Sequence, residues 1–265
     1  MPSKSPSKNR LTQLFASGRT GILSIYYTAG FPKRDDTVRI AKALAAAGTD
    51  IIELGIPFSD PVADGPTIQV SNKTALDNGM SLRLLLEQAA EIRRAIDTPL
   101  ILMGYYNSVL QYGMAAFCED AGRAGVDGVI LPDLPMDEYL SEHRSLFESN
   151  RLSNIFLIAP TTTKERARAI DEVSDAFIYA VSASSITGAR GEFSEAQLAY
   201  FQGLGSMNLR NPCLIGFGIS NHATFSVASN HSAGAIVGSA FIDLLGSSTN
   251  LEQDIQQFVG QLKGT

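Results

Sequence analysis

At 265 residues, with 45% apolar and 18% charged side chains, the chain is large enough for one α/β domain or two small ones and too apolar to be disordered. A formal net charge of −6, with no basic stretch to offset it, argues against a nucleic-acid surface. The longest apolar runs are strand-sized, far short of the roughly 20 residues that a membrane-spanning helix needs.

In chain order, residues 1–9 carry positive charge, lead into no long apolar region and read as a flexible N-terminal tail rather than a secretory leader. Leu11, Leu14 and Phe15 then predict a short helix ending near Gly18. Apolar, β-rich runs follow at 22–28, 50–54, 99–104, 128–131, 154–159, 176–182, 213–217 and 235–238. Between them lie helix-like stretches at 35–47, 82–96, 114–124, 137–149, 164–173 and 223–229. Gly48 and Gly125 stand just past two of these helices, where a left-handed residue ends a helix cheaply. The strands are nearly continuous apolar runs, the pattern of parallel strands covered on both faces. Eight β/α units in about 250 residues match a closed (β/α)8 TIM barrel, taken as a single catalytic domain over 10–265. An open doubly wound sheet is the rival, but no strand runs into a full Gly-x-Gly-x-x-Gly turn.

Several chemistries find no support. Cys118 and Cys213 are isolated, with no spacing for a metal knuckle or redox motif, which favours a reducing cytoplasmic setting. His143, His222 and His231 fall in or beside predicted helices and read as surface residues rather than metal ligands. There is no serine nucleophile elbow and no Gly-x-x-x-x-Gly-Lys-Ser/Thr phosphate loop. The lysines avoid strand interiors, so none is placed for a Schiff base. Carboxylates, tyrosines and backbone donors remain.

A barrel gathers chemistry at the C-terminal ends of its strands. Within 51–54, successive side chains alternate faces. If Ile52 and Leu54 face the helices, Glu53 faces the interior near the mouth. No Lys or Arg occurs between Lys42 and Lys73, so burial there would push this carboxylate's pKa up. Such a glutamate is either a structural hydrogen-bonding group or kept for proton transfer, and spacing alone leaves both open. Asp64, in the loop that follows, is either a turn former or an acid folded over the mouth. Farther on, Gly216-Phe217-Gly218-Ile219-Ser220 ends one strand, with Ser220 placed to cap the next helix, and Gly238-Ser239 ends the last strand. Glycine turns in these two consecutive positions predict a phosphate held by backbone N–H groups and a helix N-terminus. The stretch from Tyr179 to Arg190 closes the sixth strand and runs into a small, polar loop with the character of a lid.

Taken together, these residues resemble the tryptophan synthase alpha subunit family. The run Glu53-Leu54-Gly55-Ile56-Pro57-Phe58-Ser59-Asp60-Pro61-Val62-Ala63-Asp64-Gly65-Pro66-Thr67 follows that family's signature almost residue for residue. Supporting matches are Thr28-Ala29-Gly30-Phe31-Pro32, Tyr105-Tyr106-Asn107, Pro132-Asp133-Leu134-Pro135, Thr187-Gly188-Ala189-Arg190 and the two glycine turns. Ser185 in the lid and Ser108 after the Asn depart from the family pattern.

The resemblance implies cleavage of indole-3-glycerol phosphate to indole and glyceraldehyde 3-phosphate. It makes Glu53 the acid/base, Asp64 the residue facing the indole nitrogen and Tyr179 the residue steering Glu53. Tyr26, Met103, Tyr105 and Ile158 would wall the indole. Gly188, Gly216, Phe217, Gly218, Gly238 and Ser239 would hold phosphate. Pro57, Phe58, Asp60, Asn107 and Pro135 would face a beta subunit in an alpha-beta-beta-alpha assembly. Pyridoxal phosphate is then expected only in that subunit, with no cofactor or metal in this chain. The alternatives are a barrel acting mainly as allosteric partner of the beta subunit, and an isomerase acting on another phosphorylated sugar.

Overall fold

The structure, a computed structural model, describes residues 9–61, 64–182 and 192–265. Nine short strands form its centre: β1 (Ile22–Thr28), β2 (Ile51–Gly55), β3 (Leu100–Met103), β4 (Gly128–Ile130), β5 (Ser153–Asn154), β6 (Leu157–Ile158), β7 (Ile178–Val181), β8 (Cys213–Gly216) and β9 (Gly234–Val237). Every pairing is parallel, in the order β5-β4-β3-β2-β1-β9-β8-β7-β6. The first and last strands are therefore neighbours, as a closed barrel requires. The two outer members, β5 and β6, are halves of one stretch. Ile155 N–H donates to the Val129 carbonyl at 2.9 Å, and the Phe156 carbonyl accepts from Tyr179 N–H at 2.9 Å. The single strand expected at 154–159 is thus divided because its first half bonds β4 and its second half β7. That division closes the cylinder.

Period-two alternation sorts the apolar side chains into two cores. Ile22, Ile51, Ile101, Ile155, Leu214 and Ile236 fill the barrel interior. Leu23, Ile25, Ile52, Leu54, Leu100 and Leu102 pack outward under the helices. Full burial of each such side chain stabilises the fold by about 1.5–3 kcal/mol.

Leu11, from the leading helix Arg10–Ala16, belongs to the interior core and has no exposed surface. Asn9 holds that helix in place, which corrects the expected tail boundary. Its side chain caps the helix in a capping box with Thr12, and its Nδ2 donates to the carbonyls of Asp127 at 2.8 Å and Arg151 at 3.0 Å. Buried backbone carbonyls need such donors, so residue 9 is part of the folded domain.

Five helices were not anticipated: Pro66–Asp77, Tyr106–Tyr112, Glu195–Ser206, Ser239–Ser247 and Leu251–Lys263. The helix expected at 137–149 is broken by a π-helical turn at Tyr139–His143. That turn carries His143 inward, so the surface reading of this histidine is wrong: it is buried, with Nε2 2.6 Å from the Tyr106 hydroxyl. Among the described residues no helix is long and apolar enough to cross a membrane.

Candidate active site

Ile51 faces the interior and Ile52 and Leu54 face the helices, so alternation turns Glu53 into the barrel, as expected. The side chain is completely buried. Glu53 Oε1 accepts a 2.5 Å hydrogen bond from Ser24 Oγ, while Oε2 is buried with no partner. Burial pushes the carboxyl pKa up to about 7, against the opposing pull of the Ser24 hydroxyl. An acid poised there can both give and take a proton near neutrality.

A cavity of about 370 Å3 opens at the C-terminal ends of the strands, lined by Tyr26, Asp64, Met103, Tyr105, Leu157 and Phe217 among others. Three of the four expected wall residues, Tyr26, Met103 and Tyr105, line it. Ile158 does not. β6 turns Ile158 outward to the helix-facing core, and Leu157 takes the inward position beside the cavity. Glu53 does not itself border the cavity. Tyr26, its register partner across β1 and β2, does.

Asp64 is half-buried on the cavity wall, and its Oδ2 accepts from the Tyr105 hydroxyl at 2.9 Å. Burial raises its pKa, with Tyr105 pulling it down. Tyr179 is buried, and its hydroxyl is held neutral first by burial and then by the charges of Glu53 and Asp64. Its ring occupies the space beside Gly216, where a Cβ would overlap it. Tyr26 lies against Gly55 in the same way. Two strand-end glycines thus make room for two interior tyrosines.

β8 and β9 are paired, so the two glycine turns stand side by side. Phe217 reaches the cavity and is held at φ +70°, followed by Gly218 at φ +78°. Gly238 precedes the helix Ser239–Ser247, and Ser239 is exposed at its start. The neighbouring helix, His222–His231, is capped by Asn221 rather than by Ser220. Ser182 Oγ donates to the carbonyls of Gly216 at 3.1 Å and Phe217 at 2.9 Å, tying the end of β7 to the first glycine turn. Gly188 and the departure at Ser185 lie outside the described residues.

On the rim, Phe58 stacks on Tyr105 with ring centroids 5.0 Å apart. Asp60, Asn107 and Pro135 are exposed. Pro57 is not: Ile56 N–H donates to the Met103 carbonyl at 2.7 Å, prolonging β2 and keeping Pro57 buried inside the rim. It is therefore a poor candidate for direct partner contact.

Two further polar residues belong to this neighbourhood. Ser24 is the Glu53 partner, and the signal for it was the alternation of β1, which places it on the same face as Tyr26. Asn72, on the helix Pro66–Asp77, lines the cavity and accepts from Phe58 N–H at 3.2 Å. No pattern in the sequence distinguishes it from other helical asparagines.

The family model described as tryptophan synthase alpha chain matches residues 11–264. A tryptophan synthase alpha chain of Flavobacterium johnsoniae is 49% identical over 255 residues, 96% of this chain and 100% of the relative. One from Phocaeicola vulgatus is 52% identical over 237 residues, 89% of this chain and 92% of the relative. Among solved structures, a Mycobacterium tuberculosis tryptophan synthase superposes with a TM-score of 0.86 at 34% identity, covering 97% of both chains. The Pyrococcus furiosus tryptophan synthase A-subunit gives 0.85 at 34% identity, covering 93% of this chain and 99% of that one. By sequence over nearly its full length and by fold, the chain belongs to the tryptophan synthase alpha chain family.

Proposed function

We propose that this chain cleaves indole-3-glycerol phosphate to indole and glyceraldehyde 3-phosphate, with Glu53 as acid and base and Asp64 as the charge partner of the indole nitrogen. The carrying observation is Glu53 itself: a fully buried carboxyl with one oxygen unpartnered and a pKa near 7, next to a tyrosine that lines the cavity.

Breaking the bond from indole carbon 3 to the glycerol side chain needs an electron sink. A proton from Glu53 to carbon 3 makes the ring an indoleninium, whose nitrogen is that sink. The carbon–carbon bond then breaks and its electron pair neutralises the nitrogen. The glycerol hydroxyl on the departing carbon gives its proton back to the Glu53 carboxylate and becomes the aldehyde. Positioned proton transfer of this kind contributes roughly 10²–10⁴-fold. Asp64 lowers the energy of the cationic ring, by on the order of 3–4 kcal/mol for a preorganised charge partner.

Tyr26, Met103, Tyr105 and Leu157 enclose the indole, and Tyr179, whose buried hydroxyl feels the Glu53 charge, steers the acid. Gly216, Phe217, Gly218, Gly238 and Ser239, with Gly188, take the phosphate through backbone N–H groups and a helix N-terminus. The chemistry asks for no cofactor in this chain. Phe58, Asp60, Asn107 and Pro135 form the rim offered to a beta subunit carrying pyridoxal phosphate, in an alpha-beta-beta-alpha assembly in the cytoplasm.

The deciding experiment is indole release by wild type, Glu53→Gln and Asp64→Asn, each with the beta subunit present. Near-total loss in the first and a severe deficit in the second, with folding intact, are expected. Undiminished turnover in Glu53→Gln would overturn the proposal.

A further inference from the structure

Ser24 is a small polar residue in a strand otherwise built of Ile, Leu, Tyr and Thr. It is fully buried on the interior face of β1, two residues before Tyr26. Across β1 and β2 the register partner of Glu53 is Tyr26, while that of Ser24 is Ile51. The Glu53 carboxyl therefore reaches one pleat upstream of its own level to meet the Ser24 hydroxyl at 2.5 Å. That direction leads away from the strand ends where the cavity opens. It accounts for Glu53 being wholly covered while Tyr26 lines the cavity.

We propose that Ser24 is a positioning residue for Glu53: its hydroxyl holds one carboxyl oxygen upstream, fixing the orientation of the acid and leaving Oε2 as the oxygen that exchanges a proton with substrate. The inference rests on the reading of Glu53 as the acid and base of the reaction.

A hydroxyl suits this place better than an apolar side chain or a cation. It donates to a carboxylate and accepts from a carboxylic acid, so it remains bonded as Glu53 alternates between the two forms. An apolar residue would leave both carboxyl oxygens buried without partners, and a cation would lock the acid in its charged form. The other titratable groups acting around Glu53 are the Tyr26 and Tyr179 hydroxyls, kept neutral by burial, and Asp64, whose charge acts on the same two tyrosines. Ser24 is the group that draws Glu53 back toward ionisation against its burial.

The test uses the full chain as wild type, Ser24→Ala and Ser24→Thr. The Glu53 carboxyl is titrated by NMR with ¹³C-labelled glutamate, and kcat and KM for indole formation are measured alongside. In Ser24→Ala the Glu53 titration should move to higher pH. The same variant should lose on the order of ten-fold in kcat, the usual scale for one hydrogen bond to a charged group, with KM little changed. Ser24→Thr keeps the hydroxyl and should restore both. An unchanged titration and kcat in Ser24→Ala, or a loss that threonine fails to restore, would overturn the proposal. A titration that rises in Ser24→Ala, in a protein whose wild type forms no indole, would support the hold on Glu53 and overturn the reading of the reaction instead.

Discussion

The Tyr105 hydroxyl donates to Asp64 at 2.9 Å while the Tyr105 ring stacks on Phe58 at 5.0 Å, so one side chain joins a cavity acid to the rim of the barrel. A partner that moves Phe58 would move the group that pulls the Asp64 pKa down against its burial.

Tyr105→Phe should preserve the stack and remove the hydrogen bond. A hydrogen bond to a charged group is worth roughly 1.5–3 kcal/mol, so turnover should fall about 10-fold or more. The pH dependence has a definite sign. Tyr105 lowers the Asp64 pKa against the upward push of burial. Without it Asp64 protonates at higher pH, and a protonated Asp64 cannot stabilise a cationic ring. The acidic limb of the kcat profile should therefore move to higher pH. An unmoved limb would mean that Asp64 does not act in its charged form.

Glu53 makes a separate prediction about stability. Its pKa is about 4.5 without the fold's burial and about 7 within it. Between those values the folded chain holds a proton that the unfolded chain has released, so this residue's contribution to stability falls as pH rises. Above about 7 both states are ionised and the loss is complete, on the order of 3 kcal/mol. Glu53→Gln carries no such charge. Its stability relative to wild type, measured by urea unfolding, should be more favourable at pH 8 than at pH 5. An offset independent of pH would show that the fold does not raise the Glu53 pKa above its unfolded value.

These arguments start from a feature visible in the sequence. Glu53 lies between Ile52 and Leu54, and a polar residue between two apolar ones sets the phase of a strand. Leu157 and Ile158 are both apolar, so nothing in β6 announces which side faces the helices. Ile158 entered as a wall residue through the family resemblance, and no local pattern contradicts it. The helix Pro66–Asp77 is obscured because Pro66, a good first helical residue, follows Pro57, Pro61 and Gly65 and continues their run of turn-forming residues. Glu195–Ser206 carries Gly203 and Gly205, and Ser239–Ser247 carries Gly246, which blur any helical stripe. Leu251–Lys263 went unanticipated although Leu251, Ile255, Val259 and Leu262 stand at helical spacing and are buried. The division of 153–158 into two half-strands depends on closing the cylinder, which no local pattern encodes.

The exchange of roles between Leu157 and Ile158 is directly measurable. Leu157→Ala should raise KM for indole-3-glycerol phosphate by enlarging the cavity, with modest loss of stability because Leu157 is only partly buried. Ile158→Ala removes a side chain that is 2% exposed and should cost about 2–5 kcal/mol of stability while leaving KM near wild type. Steady-state kinetics and denaturant melts on the two variants separate the cases. A KM effect confined to Ile158→Ala would restore the original assignment.

Gly216 and Tyr179 offer the sharpest test of how the interior is packed. A Cβ on Gly216 would overlap the Tyr179 ring, which is buried in the interior core and so has little room to retreat. Gly216→Ala should therefore destabilise the barrel by about 1–3 kcal/mol, the usual cost of overpacking. It should also lower kcat, because a displaced ring carries with it the hydroxyl on which the Glu53 charge acts. Replacing the ring with a smaller side chain in the double variant Gly216→Ala/Tyr179→Leu should recover part of the stability lost in Gly216→Ala alone. It should not recover turnover if the tyrosine itself steers the acid. A double-mutant cycle reads both quantities from the same four proteins, since residues in contact depart from additivity. Strict additivity in stability would mean that the glycine is there for its backbone and not for the ring beside it.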